Sequence, residues 1–519
     1  MTQDNAHQEA NQRARIRIIA GVILAAFLAA LDTTILSTVM PTIAGELGGL
    51  PLYSWVFSVY MIMTAVSMPI WGKLSDALGK KKLFLAAVAV FLLGSALCGA
   101  SQSMVHLIVF RGIQGIGSGG LASIPFALVS TVFPRNERGK ALGLLASAWG
   151  VSSIIGPLLG SVIVMSAHWR WVFYVNIPVG LASQWIIARN YREPEPPHRV
   201  EIDYAGAGLL TSAIVALLLI MLEIGHSRGA LFPEVWILLL LVLLFTALFI
   251  RRERRAPSPL LELGFFGRRA FWVGNLLGFI SSFGMYGVIA FIPLFAQSIL
   301  GGTPLRAGLV ITPMTLGWSA AAFVAGRLTH RIGENPLIRF GMLMMVLGFV
   351  LAMFTTYDTS LGYLILCVST VGVGMGCQTP SLMLSVQHSL DPANVGVATS
   401  TQMLARTVGG AVGVGVMGSA VTGSMLREFT ALLQEGKLAG FPERVRELAS
   451  DPQKLLAPQV RSLMDHDQLV TVLTAFTHAM HAVFLTGLVV IIAGALVSVL
   501  LPPSSLHLQH RAKSDSPPA

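Results

Sequence analysis

The sequence predicts an all-α polytopic membrane protein with fourteen transmembrane helices: two six-helix bundles plus an inserted two-helix hairpin. Three observations predict it. Hydrophobic residues fill 54% of the 519 positions and charged residues only 12%, about half the share usual in soluble domains. The mean hydropathy is +0.71, and apolar runs of bilayer length recur from end to end. A turn pattern, GKLSDALGKKK from Gly72, returns as GRLTHRIGENP from Gly326, and the same offset of 254 carries Gly156 onto Gly410.

A spanning helix needs about 20 mostly apolar residues. Such runs lie at 16–40, 52–72, 82–101, 104–133, 139–166 and 169–189, giving an N-terminal bundle over 16–190. An inserted helix pair follows over 204–250, from runs at 204–224 and 233–250. The C-terminal bundle, 270–502, takes runs at 270–299, 305–328, 335–356, 360–386, 394–425 and 479–502. Repeated halves with a site near the midplane are the usual architecture of secondary transporters.

The connecting segments set the orientation. Residues 1–15 are polar and read as a cytoplasmic N-terminal tail, and the first apolar run is too long for a cleavable signal. Segment 251–269, RRERRAPSPLLELGFFGRR, reads as a basic cytoplasmic linker at the inner membrane surface. Residues 426–478 form the one large extracellular loop, with amphipathic stretches, and 503–519 a disordered cytoplasmic tail. With the N-terminus inside, 24 of the 35 Lys and Arg fall on the cytoplasmic side and 9 outside. Six of those nine sit in the long loop, where the positive-inside rule has little force. Both termini are therefore expected in the cytoplasm, in a multi-pass protein of the cell (inner) membrane. The net charge of +10 is mostly this topology signal, and no nucleic-acid partner is expected. Cys98, Cys367 and Cys377 fall inside apolar runs without metal or redox spacing and read as packing residues.

Asp32 stands in the middle of the first span, in FLAALDTTILSTVMP. A carboxylate there costs at least ~2.5 kcal/mol on insertion scales. Arg111, in LIVFRGIQGIGSGG, is the deep base of the first six spans and needs a carboxylate or carbonyl partner. Asp32 is the one acid well inside those spans. Gln114 lies three residues on from Arg111, close to the same helical face, and is a candidate cavity-lining residue. In the turn between spans two and three, Gly72 and Gly79 allow close backbone approach. Asp76 is placed to cap a helix or pair with a base, and Lys80 also reads as plain positive-inside charge. Gly150, Gly156, Pro157 and Gly160 give the fifth span a small-residue face and a bend. Trp169 and Trp171 read as interfacial anchors.

LDTTILSTVMP, GKLSDALGKKK, LIVFRGIQGIGSGG, GVSSIIGPLLG and WRWVFYVNIPVG, in that order, resemble the successive signatures of the major facilitator superfamily. The fourteen spans resemble its drug:proton antiporters of the EmrB/QacA type. The resemblance runs motif by motif through spans one to six and by topology beyond. It implies alternating access between two six-helix bundles and proton-driven export of hydrophobic or amphipathic small molecules (multidrug efflux). The proton gradient supplies the energy, and no cofactor is implied. Asp32 and Arg111 fall on the proton-coupling motifs, and Gly72, Asp76, Gly79 and Lys80 on the cytoplasmic gate. Gly150, Gly156, Pro157 and Gly160 fall on the antiporter helix. His330 stands where the first half has Asp76, which weakens the second latch. Spans nine to thirteen hold no membrane-buried acid, which puts an extra cation site in doubt.

Alternatives stay open. A dedicated exporter of one metabolite, antibiotic, siderophore or lipid keeps the fold and changes the cargo. A membrane-embedded enzyme is a remote reading, because no H-E-x-x-H, G-x-S-x-G or P-loop occurs. Asn275, Phe283, Tyr286, Met375 and Gln378 are candidate cavity residues, with packing as the default for each. Arg406 reads equally as snorkelling to the cytoplasm or as functionally paired. Glu223 reads as an interfacial carboxylate, and no metal site is expected at Asp465-His466-Asp467. The expected partners are a small-molecule substrate and the bilayer. A monomer is the working assumption, and a periplasmic adaptor stays open.

Overall fold

A computed structural model of the chain describes residues 2–49, 52–133, 135–193, 203–226, 233–256, 259, 263–300, 304–391, 395–435 and 464–502. The described residues are helices and connecting turns, without a strand. The first seven helices are α1 Thr2–Leu47, α2 Tyr53–Leu78, α3 Lys80–Gly99, α4 Met104–Val132, α5 Arg135–Ser166, α6 Trp171–Tyr174 and α7 Asn176–Asn190. Next come α8 Tyr204–His226 and α9 Pro233–Glu253. The remainder are α10 Arg269–Ser298, α11 Pro304–Ile332, α12 Glu334–Ala352, α13 Leu361–His388, α14 Val395–Gln434 and α15 His466–Ser498.

Twelve helices among the described residues are long and apolar enough to cross a membrane. The expected spans at 139–166 and 204–224 appear as α5 and α8, whose described apolar stretches, Gly150–Ser166 and Ala205–Leu217, are shorter. Outward faces are apolar, with Leu93, Val109, Trp185, Leu240, Phe323 and Leu496 exposed, as contact with lipid tails requires. The segment 2–15, expected as a tail, continues α1 as helix, and its Ala, Gln, Glu and Arg residues favour that state. The expected loop 426–478 is helical at both ends, through Gln434 and from His466, while 436–463 lie outside the described residues. So do the expected tail 503–519 and part of the linker 251–269, where Leu263–Gly267 forms one 3-10 turn.

Two compact units make up the chain. The first is Met1–Val39, Val59–Ser212 and Phe245–Leu260; the second is Met40–Ser58, Ala213–Leu244 and Leu261–Ala519. In the first unit α3 packs along α4 and against α7. Glycines set that approach: a Cβ on Gly94 would meet the backbone of Gln114, and one on Gly115 the backbone of Tyr60. In the second, α10 runs beside α14, α13 lies between α11 and α12, and α15 packs on α10, α12 and α14. Residues 40–58 are held there by Tyr53, whose hydroxyl donates to the Ala290 carbonyl at 2.7 Å, and by Ser58, which donates to Ala411 at 3.0 Å.

The internal repeat has a local counterpart. Gly79 and Gly333, 254 positions apart, have φ of 99° and 82° and immediately precede α3 and α12. That left-handed conformation favours glycine. The same turn chemistry therefore opens a helix in each unit.

Candidate functional site

The first unit brings the expected acid and base together. Asp32 and Arg111 are 3% and 0% exposed. Arg111 Nη1 donates to Asp32 Oδ2 at 2.5 Å and to Gln114 Oε1 at 2.7 Å. Gln114 Nε2 donates to Asp32 Oδ1 at 2.7 Å. Gln114, expected to line a cavity, is fully buried and accepts from Cys98 as well. The close approach of α3 at Gly94 holds Gln114's stretch of α4 in register for these bonds. An ion pair out of water survives only when hydrogen bonds satisfy its remaining lone pairs and protons. Here two helices supply amides for that purpose.

Three partners escaped the sequence reading. Asn176, at the start of α7, donates to Asp32 Oδ1 at 3.1 Å and to Ser95 Oγ at 3.0 Å. Ser95 in turn donates to the Phe173 carbonyl at 2.8 Å. Tyr60 of α2 lays its ring 3.8 Å from the Arg111 guanidinium carbon and donates its hydroxyl to Ser118 at 2.8 Å. A cation over a desolvated ring gains about 2 kcal/mol. Asp32 thus joins α1 to α4 and α7, and Arg111 joins α4 to α1 and α2. A change of charge on one carboxyl is felt by four helices.

The turn between α2 and α3 is bound by a carboxylate from beyond α7. Glu193, just past the end of α7, accepts from the backbone N–H of Lys80 at 2.8 Å and of Lys81 at 2.6 Å. A carboxylate on exposed first-turn N–H groups is favoured by their alignment and by the helix dipole. Burial, then the neighbouring Glu193, pushes the Tyr191 phenol up to about 12, so it stays neutral beside that carboxylate. Lys80 Nζ donates to Thr131 Oγ1 at 2.6 Å. Gly72 has open space around it. The side chain of Asp76 lies outside those described, as do those of His330 and Glu223.

On α5, Cβ atoms at Gly156 and Gly160 would strike Thr34 and Thr38 of α1, and Pro157 is buried within the helix. Thr34 donates to the Ser152 carbonyl at 3.1 Å, and Ser152 donates back to Phe27 at 3.1 Å. Gly150, two residues before Ser152, is half-buried. Trp169, read as an interfacial anchor, is instead buried at 2% exposure under Arg170, whereas Trp171 is exposed. Its ring fills the corner against Phe173.

In the second unit, Gln378 is fully buried, accepting from Ser281 at 2.6 Å and facing the sulfur atoms of Met345 and Met375. Met375 is buried with it. Phe283 is buried on α10, where Gly413 of α14 approaches its backbone. Asn275 is buried and donates to its own helix at Phe271, 2.8 Å. Tyr286 is half-buried. Asp465 caps α15 through a reciprocal box with Gln468.

A family model described as Major Facilitator Superfamily matches residues 22–414. The multidrug transporter protein MdtP of Bacillus subtilis (strain 168) is 33% identical over 483 residues, 89% of this chain and 88% of that protein. Multidrug resistance protein 3 of the same strain is 32% identical over 462 residues, 88% and 90% of the two chains. Among solved structures, an inward-facing, unoccupied bacterial homologue of the human lysosomal transporter Spinster aligns with a TM-score of 0.66. It covers 98% of this chain and 99% of its own at 15% identity, a likeness of fold alone.

Proposed function

The chain belongs to the Major Facilitator Superfamily and is a multi-pass membrane transporter; on that premise we propose that it is a proton-coupled antiporter exporting hydrophobic or amphipathic small molecules. The observation that carries the coupling is the buried pair of Asp32 and Arg111, 2.5 Å apart and tied to α1, α2, α4 and α7. An ionised Asp32 accepts from Arg111, Gln114 and Asn176. A protonated Asp32 has lost its charge and turned one oxygen into a donor, so it no longer holds Arg111 as a counterion. Burial disfavours a carboxylate and a nearby guanidinium favours it. Rearranging the four helices therefore changes proton affinity, and loading a proton favours rearrangement.

In this cycle Asp32 takes its proton from the outer side and releases it to the cytoplasm, with Arg111 separating and returning. The Glu193 clamp on α3 and the α1–α5 contact at Gly156 both lie within the first unit, among the helices that proton loading rearranges. The chain resides in the cell (inner) membrane with both termini in the cytoplasm, acts without a cofactor and works as a monomer. Two relatives named for multidrug transport or resistance support the broad cargo. In everted vesicles energised with a proton gradient, Asp32→Asn is expected to abolish dye accumulation. Full accumulation by that variant would contradict the assignment.

A further inference from the structure

The second unit holds a cation in a different situation from Arg111. Arg406, on α14, reaches the middle of the 30-residue α10, where its Nε donates to Ser282 Oγ at 3.5 Å. Snorkelling to the start of α14 is thereby excluded. Its ionisable neighbour is the phenol of Tyr286, one turn beyond Ser282. In α10–α14 the acids are Glu334 and Glu428, at helix ends. Glu334 faces His388 at 2.9 Å and Glu428 faces His478 at 3.7 Å. Among the described residues, no carboxylate lies within ion-pair distance of Arg406 and no acceptor within hydrogen-bond distance of its Nη atoms.

A charge inside a membrane span is costly and normally paired. The Arg111 site meets that rule with an acid and two amides. The Arg406 site meets it with one hydroxyl, 3.5 Å away. What gathers here is a set of donors: four Nη N–H groups, the Tyr286 hydroxyl and the Ser282 hydroxyl. Arg406 and Tyr286 are also only half-buried, whereas Ser282 is fully buried, so two of the three donor side chains are not sealed in packing. The missing complement is an oxyanion, and a guanidinium fork fits planar or tetrahedral oxyanions by paired hydrogen bonds.

We propose that Arg406, Ser282 and Tyr286 form an anion-recognition subsite that takes the carboxylate or sulfonate of an otherwise apolar cargo. The inference rests on the exporter reading above and names the charge class of its cargo. Asp32 and Arg111 then handle the proton while Arg406 selects the substrate, so the two charges are divided between the units.

The test is equilibrium binding to the full-length purified protein of two probes that differ by one sulfonate. They are 1-anilinonaphthalene-8-sulfonate and uncharged N-phenyl-1-naphthylamine. A lost hydrogen-bonded charge contact is worth about tenfold or more in Kd. Arg406→Gln is therefore expected to weaken sulfonate binding about tenfold and to leave the neutral probe within about twofold. Arg406→Lys, which keeps the charge, is expected to retain the sulfonate preference. Equal effects of Arg406→Gln on both probes, no effect on either, or a wild-type protein without preference for the sulfonate would overturn the proposal. No proton gradient enters this measurement, so failure of proton coupling leaves its outcome untouched.

Discussion

Asp32 accepts from three donors, and removing each donor is a different loss. Arg111→Ala leaves a buried carboxylate without its counterion, a change that costs about 3–5 kcal/mol in buried pairs. Asn176→Ala removes one charge-assisted hydrogen bond, worth about 1.5–3 kcal/mol. The expected order of thermal midpoints is wild type, Asn176→Ala, then Arg111→Ala. The double variant Asp32→Asn/Arg111→Gln, which removes both charges, is expected to melt above Arg111→Ala. A double variant that melts below it would mean the pair's charges are not what binds these helices. Much of this site was legible in the sequence, because Asp32 and Arg111 are each the one deep charge of their sign in the first six spans. Gln114 followed from its spacing to Arg111, and its amide bonds both members of the ion pair. Asn176 was illegible: a neutral amide in an apolar run raises no charge anomaly, and it lies 144 residues from its partner.

At the scale of elements, glycine spacing revealed that close contacts exist without revealing with what. The φ of 99° at Gly79 and the carboxylate of Glu193, 3.1 Å from where its Cβ would stand, make Gly79→Ala doubly unfavourable. Backbone strain of that kind costs about 1–3 kcal/mol. Glu193→Gln keeps the acceptor and loses the charge at the α3 terminus, about 0.3–1 kcal/mol. Both are expected to slow transport, Gly79→Ala more, with equilibrium cargo binding unchanged. A loss of binding in either would show that the turn shapes the cargo site and does not gate it. On α5, Gly156→Val drives a side chain into Thr34. Overpacking of this sort costs about 1–3 kcal/mol, and the variant is expected to show a matching fall in thermal midpoint. Glu193 itself gave no signal, since it follows a helix end where basic and acidic residues are ordinary.

Over the whole molecule, hydropathy located the helices well because bilayer thickness fixes their length. It missed the helical extensions of α1, α14 and α15 past their apolar cores, since polar helix formers carry no hydropathy mark. The offset of 254 residues was readable in two glycine alignments, and the positive φ at Gly79 and Gly333 gives it a physical reason. Arg406 was visible as a charge, but its setting depended on α10 and α14 running side by side. The central claim concerns the first unit: Asp32 carries the proton that drives export. Its most direct test is substrate-evoked proton release from purified protein, followed with a pH indicator in weakly buffered solution. The wild type is expected to release protons on cargo addition and Asp32→Asn to release none. Undiminished release from Asp32→Asn would contradict the claim.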